Sequence, residues 1–122
     1  MKIVIIEDEV DLSALMRNFL VKQLKIKSPD ISVSIAHTIT EGLNFINTIH
    51  PDLVFLDNNL PDGKGINEIE DIRLNSQYYS SIKIVMMSAM TNIKEEALQK
   101  GADFFLDKPI SFKEVSRIIN TI

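Results

Sequence analysis

Short apolar segments that alternate with amphipathic ones constrain the fold of this chain more than any other feature. Continuous apolar runs suit strands that are buried on both faces, as in a parallel sheet, at residues 3–6, 53–56 and 84–87. Residues 31–35 alternate apolar and polar side chains, which predicts an edge strand with one face in water. Residues 103–107 form a fifth, shorter strand candidate.

Helical patterns fill the intervals between these strands. The first predicted helix has one apolar stripe at helical spacing, formed by Leu12, Leu15, Met16, Phe19 and Leu20. Capping boxes that begin at Thr38 and Ser111 open the second and fifth helices. The third helix is marked by Ile66, Ile69 and Ile72. The fourth helix opens near residues 92–95 and ends at Gly101.

This repeated strand-helix order predicts parallel strands joined by right-handed crossovers. The result is one doubly wound α/β domain over residues 1–122, with helices on both faces of the sheet. The apolar pattern of the last helix continues to the final residue, which favours a fragment of a longer protein. The apolar content of 45% and the charged content of 25% are typical of a soluble globular domain.

Composition also excludes several kinds of function. The chain has no cysteine, which rules out a disulfide framework and thiol chemistry and fits a reducing cytoplasm. The net charge of -4 gives no overall electrostatic signature of nucleic-acid binding. No apolar stretch approaches the length of a membrane span.

Polar residues follow four of the predicted strands directly. Residues 7–9, which are all acidic, follow the first strand, Asp57 the third, Ser88 the fourth and Lys108 the fifth. In an open parallel sheet, ligands bind beyond the carboxyl ends of the strands. Each of these residues alone could serve a helix end, a turn or the solvated surface. Together, so many carboxylates at one edge would disfavour folding unless a cation compensates them.

The ligand atoms available at this edge are oxygens. Carboxylates, water and a backbone carbonyl in the loop after Asp57 suit Mg²⁺, with Mn²⁺ as the alternative, whereas a zinc site would need cysteine or histidine ligands. The two histidines, His37 and His50, lie outside the constellation and are interpreted as surface or turn residues. The sequence therefore predicts a hard divalent cation at the edge of the sheet.

Four motifs resemble the signatures of response-regulator receiver domains, in order and over essentially the whole chain: residues 5–9 (IIEDE), 56–65 (LDNNLPDGKG), 87–89 (MSA) and 107–109 (DKP). The resemblance implies a flavodoxin-like strand order 2-1-3-4-5. It also implies that Asp57 accepts a phosphoryl group from a sensor histidine kinase, a histidine phosphotransfer protein or a small phosphodonor. Mg²⁺ would be held by Asp8, by Asp57, by the backbone carbonyl of Asn59 and, mainly through water, by Glu7.

The same resemblance implies how the domain signals. Ser88 would hydrogen-bond the phosphoryl oxygens, Lys108 would pair with them, and the Lys108-Pro109 peptide bond would be cis. Ser88 would then shift and Phe105 would rotate inward. The fourth helix, fifth strand and fifth helix, roughly residues 92–122, would present the change to an effector protein or domain, or to a second copy. Such a domain is cytoplasmic, does not itself bind nucleic acid, and catalyses at most its own phosphorylation and dephosphorylation.

Three other functions remain open at this point. An aspartate-nucleophile phosphatase would need a second carboxyl group two residues after Asp57, where this chain has the amide Asn59. A flavodoxin-like cofactor binder would bring a phosphate against the acidic residues 7–9, which would repel it. A receiver-like interaction module that works without phosphorylation is the third, although no acid, acceptor or lysine is missing.

Overall fold

The computed structural model of the protein describes residues 1–74 and 81–122, which form a parallel sheet covered by helices on both faces. The sheet has five strands: β1 Lys2–Ile6, β2 Ser32–Ala36, β3 Leu53–Asp57, β4 Lys83–Ser88 and β5 Phe104–Asp107. Neighbouring strands all pair in parallel, and their order across the sheet is β2-β1-β3-β4-β5. The doubly wound fold and the flavodoxin-like strand order are therefore confirmed.

The helices follow the predicted alternation along the chain. They are α1 Val10–Leu24, α2 Ile39–Ile49, α3 Ile69–Leu74, α4 Lys94–Lys100 and α5 Phe112–Asn120. Short 3-10 turns lead into α3 and α4, at Gly65–Glu68 and Thr91–Ile93. None of the helices in the described ranges combines the length and the apolar character that crossing a membrane requires.

The register of the strands brings their carboxyl ends to one edge. Leu56 lies beside Ile6 in the β1–β3 pair, and Asp57 lies beside Met87 in the β3–β4 pair. Ser88 lies beside Asp107 in the β4–β5 pair. The residues that end or follow β1, β3, β4 and β5 therefore share one edge of the sheet, because none of these pairings is shifted along the strands.

Two apolar clusters hold the helices against the sheet. On one face α2, α3 and α4 cover residues that include Val4, Val54 and Met86. On the other face α1 and α5 cover residues that include Ile5 and Phe55. Since alternate residues of one strand point to opposite faces, a strand buried on both sides reads as a continuous apolar run.

The predicted helix ends are largely as expected. The Thr38 hydroxyl oxygen accepts from the Glu41 backbone N–H at 3.1 Å, and the Glu41 carboxylate accepts from the His37 N–H at 2.9 Å. The Ser111 hydroxyl oxygen accepts from the N–H three residues on, at 3.4 Å. Gly101 ends α4 with a φ of 118°, which a residue with a Cβ rarely adopts.

Two predictions about the helices were wrong. The helical spacing predicts that Leu15 lies on the buried stripe of α1, yet Leu15 is 56% exposed. It lies about 100° around the helix from Met16, which belongs to the row that faces the sheet. The last helix ends at Asn120 rather than at the final residue, because the Thr121 N–H and hydroxyl both donate to the Ile118 carbonyl and close the last turn.

Candidate functional site

An open cleft of about 210 Å³ lies at the carboxyl edge of the sheet. It is lined by Asp8, Glu9, Asp57, Asn59, Ser88, Ala89 and Lys108. Most of the residues predicted for the site therefore meet here. Glu7 is fully buried behind the lining and contacts Lys108, whereas Phe105 lies two residues before the end of β5 and does not line the cleft.

Asp57 ends the central strand β3 and is only 2% exposed. Its Oδ1 atom lies 3.0 Å from Lys108 Nζ, and its Oδ2 atom accepts from the Asn59 N–H at 3.2 Å. Burial raises the pKa of the Asp57 carboxyl, and the hydrogen bond and charge of Lys108 oppose that rise. The rigid sheet thus holds a carboxylate that the protein alone stabilises incompletely.

Glu7 lies immediately beyond β1 and is 0% exposed. Its Oε2 atom accepts from the Glu9 N–H at 3.0 Å, and its Oε1 atom lies 2.7 Å from Lys108 Nζ. Among the described residues, no hydrogen bond of regular geometry reaches Oε1, so the ion pair alone supports it. Burial raises the pKa of Glu7, against the opposing effect of Lys108, and the nearby charge of Asp57 raises it further.

Lys108 is the cation at the centre of this cluster. Its Nζ atom contacts three carboxylates, those of Glu7 at 2.7 Å, Asp57 at 3.0 Å and Glu9 at 3.3 Å. Burial by itself lowers the pKa of Lys108, but Glu7 and Asp57 outweigh burial and raise it above its ordinary value. The ammonium is therefore charged at any physiological pH. One positive charge facing this many carboxylates leaves the cleft strongly negative.

Three carboxylates have the geometry of a cation site. Glu7, Asp8 and Asp57 each offer an oxygen, and these oxygens lie within 4.8 Å of one another. Asp8 is exposed, so the set opens to solvent on one side. The donors are all oxygens, and among the described residues the buried Glu7 oxygen is supported only by an ion pair, which fits a hard divalent ion that keeps part of its water. Asn59, the residue proposed to add a backbone carbonyl, lines the same cleft.

His37 is closer to this cluster than the sequence indicated. Its ring Nδ1 donates to the backbone carbonyl of Glu7 at 2.9 Å. The imidazole therefore supports the loop that carries the acids, although the carboxylate group described above includes no histidine. His50 is a turn residue, as predicted, because it ends α2 in the left-handed conformation with a φ of 53°.

Ser88 ends β4 and is 4% exposed. Its hydroxyl oxygen accepts from the Met90 N–H at 2.9 Å, while its carbonyl accepts from the Lys108 N–H at 2.9 Å. The hydroxyl can therefore still donate its proton into the cleft, whereas the backbone hydrogen-bonds to the loop that follows β5. The Lys108-Pro109 peptide bond is cis, as the family resemblance implied.

Phe105 lies on β5, on the face of the sheet that α4 covers. It is half-buried and packs against the cluster under α2, α3 and α4, whereas its neighbour Phe104 packs on the opposite face. Both rings line a groove of about 320 Å³ between α4, β5 and α5. The predicted switch residue is thus at the predicted surface, part way between solvent and core.

Two residues of the loop after Asp57 have structural roles that the sequence analysis missed. Asn58 is 5% exposed, and its side-chain oxygen accepts from the Ile66 N–H at 3.1 Å. Its backbone N–H donates to the Met87 carbonyl at 2.9 Å and its carbonyl accepts from the Gly65 N–H at 2.9 Å. A Cβ on Gly65 would lie 2.2 Å from the Asp57 carbonyl oxygen, so only glycine fits. A glycine in this loop already indicates a position with little room for a side chain, whereas nothing in the sequence around Asn58 indicates its role.

The chain matches the model of the response regulator receiver domain over residues 3–120. The KDP operon transcriptional regulatory protein KdpE of Escherichia coli (strain K12) is 33% identical over 115 residues, which are 93% of this chain and 47% of that protein. The two-component response regulator PhoP of Pseudomonas aeruginosa is 29% identical over 124 residues, covering 100% of this chain and 51% of that protein. The chain thus spans about half the length of these relatives.

Solved structures agree with this assignment. A two-component response regulator from Clostridium difficile superposes with a TM-score of 0.82 at 26% identity, over 99% of this chain and 93% of that one. The signal receiver domain of a DNA-binding response regulator from Colwellia psychrerythraea 34H has the same fold, with a TM-score of 0.88 at 21% identity over 99% and 96% of the two chains. The chain therefore belongs to the response regulator receiver domain family, the signalling domains of two-component systems.

Proposed function

We propose that Asp57 is the phosphoacceptor of this receiver domain, and that a bound Mg²⁺ ion is needed for the transfer. One observation carries the proposal: the buried Asp57 carboxylate has Lys108 Nζ at 3.0 Å and the oxygens of Glu7 and Asp8 within 4.8 Å. A phosphoryl donor is anionic, so such a carboxylate can attack it only where cations neutralise the charge. The cleft combines one fixed cation with a set of oxygens suited to a second.

Different residues would contact the metal ion and the phosphoryl group. Asp8, Asp57 and the Asn59 carbonyl would hold Mg²⁺ directly, Glu7 would hold it mainly through water, and Mn²⁺ is the alternative ion. The bound ion supplies neutralisation of charge on the phosphoryl oxygens. Asp57 Oδ would attack phosphorus in line, its bond to phosphorus forming as the donor's P–N or P–O bond breaks and releases the donor's imidazole or carboxylate. Lys108 would then pair with the transferred oxygens.

Ser88 and Phe105 would convert this local change into a change of surface. The Ser88 hydroxyl lies in the cleft and would donate to a phosphoryl oxygen on Asp57. The resulting shift of the loop after β4 would let the half-buried Phe105 ring turn fully inward. The surface formed by α4, β5 and α5 would then differ between the two states, which is a two-state equilibrium biased by a new charge.

The partners follow from the same proposal. A sensor histidine kinase or a histidine phosphotransfer protein would donate the phosphoryl group, with small phosphodonors as substitutes. An effector protein or domain would read the surface of α4, β5 and α5, and a second copy could dock there. Residues 1–122 would act as one receiver domain in the cytoplasm, without binding nucleic acid directly.

Phosphorylation by a small donor tests the proposal directly. The protein is incubated with acetyl phosphate and Mg²⁺, and its intact mass is compared with that of Asp57→Asn and of a sample in EDTA. We expect the mass of one phosphoryl group to be added only to the wild type with Mg²⁺. If the wild type gains no mass and beryllofluoride does not perturb the cleft residues in NMR spectra, the phosphoacceptor proposal is wrong.

A further inference from the structure

The N-terminal end of α2, together with His37 just before it, contacts both loops that carry the proposed metal ligands. On one side the His37 ring donates to the backbone carbonyl of Glu7 at 2.9 Å. On the other side Asp62, in the loop after β3, accepts from the N–H groups that open α2. The start of this helix is therefore a common support for two loops that the chain separates by about half its length.

Asp62 binds the helix through both of its carboxylate oxygens. Oδ1 accepts from the Ile39 N–H at 2.8 Å, and Oδ2 accepts from the Thr40 N–H and hydroxyl, each at 3.0 Å. These donors hold the pKa of Asp62 below its ordinary value, so the side chain stays ionised at the positive end of the helix dipole. Asp62 therefore anchors its loop to α2, through three hydrogen bonds to residues that lie 22 or 23 positions earlier in the chain.

Helix α2 does not need Asp62 as its ordinary cap. Thr38 is the N-cap residue, and its hydroxyl oxygen already accepts from the Glu41 N–H at 3.1 Å. Asp62 adds bonds from outside the helix to two N–H groups that Thr38 does not reach. These additional bonds mainly restrain the loop, because they attach its tip to α2.

That loop is a short antiparallel hairpin in which Asn59–Leu60 pairs with Gly63–Lys64. Asp62 lies in its turn, and a Cβ on Gly63 would lie 3.1 Å from the Ile39 side chain, so the turn rests directly on α2. Lys64 Nζ donates to the Asn59 side-chain oxygen at 2.9 Å across the hairpin. Movement at Asp62 is therefore transmitted to Asn59 through the paired backbone.

We propose that Asp62 is a positioning residue for the cation site, which anchors the hairpin to α2 and so fixes the Asn59 carbonyl beside the acids. This inference rests on the function proposed above, since it concerns the same cation. The base of the hairpin is fixed by Asn58 and Gly65, whose backbones hydrogen-bond at 2.9 Å. Asp62 fixes the other end, and with both ends held the carbonyl between them keeps one orientation.

The test compares Mg²⁺ affinity and stability in four proteins: the wild type, Asp62→Ala, Asp62→Asn and Thr38→Ala. Mg²⁺ is titrated into ¹⁵N-labelled protein and followed by NMR, and the same samples are melted by circular dichroism in EDTA. Thr38→Ala is the matched control, because it removes a hydrogen bond from the same helix end without touching the hairpin. The NMR spectra also establish that each variant is folded.

We expect Asp62→Ala to weaken Mg²⁺ binding about tenfold, the lower end of what losing a support of metal ligands costs. Asp62→Asn should fall between Asp62→Ala and the wild type, because the amide keeps one acceptor. Thr38→Ala should lower the melting temperature yet change the Kd for Mg²⁺ by less than about twofold, since cap loss acts on helix stability.

Other results would overturn the inference. Equal Mg²⁺ affinity in Asp62→Ala and the wild type would show that the anchor does not position the ligand. Equal weakening by Asp62→Ala and Thr38→Ala would assign the effect to the helix end in general. Failure of the wild type itself to bind Mg²⁺ would remove the proposed function together with this inference, and the wild-type titration distinguishes that case from the other two.

Discussion

Replacing Asp57 with asparagine should stabilise the metal-free protein, although it removes the proposed phosphoacceptor. Asp57 is 2% exposed, and moving a carboxylate from water into such surroundings costs free energy. Burial raises its pKa even though Lys108 opposes the rise, so the ionised form destabilises the fold at neutral pH. Asparagine has nearly the same shape and carries no charge.

Beyond burial, the charges around Asp57 contribute to the size of the effect. The oxygens of Glu7 and Asp8 lie at most 4.8 Å from it. At that limiting distance and an effective dielectric constant of about 20, each repulsion is about 3.5 kcal/mol. The attraction to Lys108 Nζ at 3.0 Å is about 5.5 kcal/mol on the same scale. Repulsion exceeds attraction by about 1.5 kcal/mol, so Asp57→Asn should raise the free energy of unfolding by about 1–2 kcal/mol.

Urea denaturation followed by circular dichroism, at pH 7 in EDTA, measures this difference. Glu70→Gln is the control, because it removes an exposed acid of α3 outside the cleft and should change stability by less than about 0.5 kcal/mol. If Asp57→Asn is less stable than the wild type under these conditions, the pairing with Lys108 dominates and the reasoning is refuted.

Mg²⁺ and pH should each change the stability difference between Asp57→Asn and the wild type in a defined direction. Mg²⁺ at 100 times its Kd would stabilise the wild type by about 2.7 kcal/mol, and the variant by less because it lacks the carboxylate proposed as a direct ligand, so the order should reverse. A raised carboxyl pKa means that the folded state binds the proton more tightly than the unfolded state. The destabilisation that ionised Asp57 causes is therefore lost as pH falls through its folded pKa. In EDTA, the excess free energy of unfolding of Asp57→Asn over the wild type should shrink on acidification.

Three further substitutions test the loop and the cleft. Gly65→Ala would place a Cβ 2.2 Å from the Asp57 carbonyl oxygen, so urea denaturation should give a loss of about 1–3 kcal/mol; an unchanged midpoint would contradict the close packing. Asn58→Ala leaves the Ile66 N–H without its acceptor and should cost about 1–3 kcal/mol by the same assay, and no loss would exclude that bond as a support. Ser88→Ala should slow phosphorylation by acetyl phosphate at least about tenfold while leaving Mg²⁺ affinity unchanged, as followed by intact mass and NMR titration; an unaltered rate would remove Ser88 from the transfer step.

The sequence was sufficient for the fold and for the location of the candidate site. Continuous apolar runs are a local property of strands buried on both faces, and helical spacing and capping boxes are equally local. Parallel strands with aligned ends then bring the residues after each strand to one edge. The positions of Asp57, Ser88 and Lys108 after their strands are therefore sufficient to predict that they lie together.

Tertiary structure alone decided the contacts that join distant parts of the chain. Lys108 meets Glu9 across 99 residues, and Asp62 reaches Ile39 across 23, while the local pattern around each residue indicates only a charge or a turn. Leu15 belongs to the helical stripe by spacing yet is exposed, because the rotation of α1 against the sheet selects which row is buried.

The difference has one physical cause. Hydrophobic periodicity reflects which side chains of a segment prefer apolar or aqueous surroundings. It depends only on residues that are close together along the chain. Hydrogen bonds and ion pairs depend on separations of about 3 Å between specific atoms. Such separations exist only after β1, α2, β3 and β5 have packed together. Which carboxylates pair with Lys108, and that Asp62 anchors its loop to α2, could therefore be read only from the folded chain.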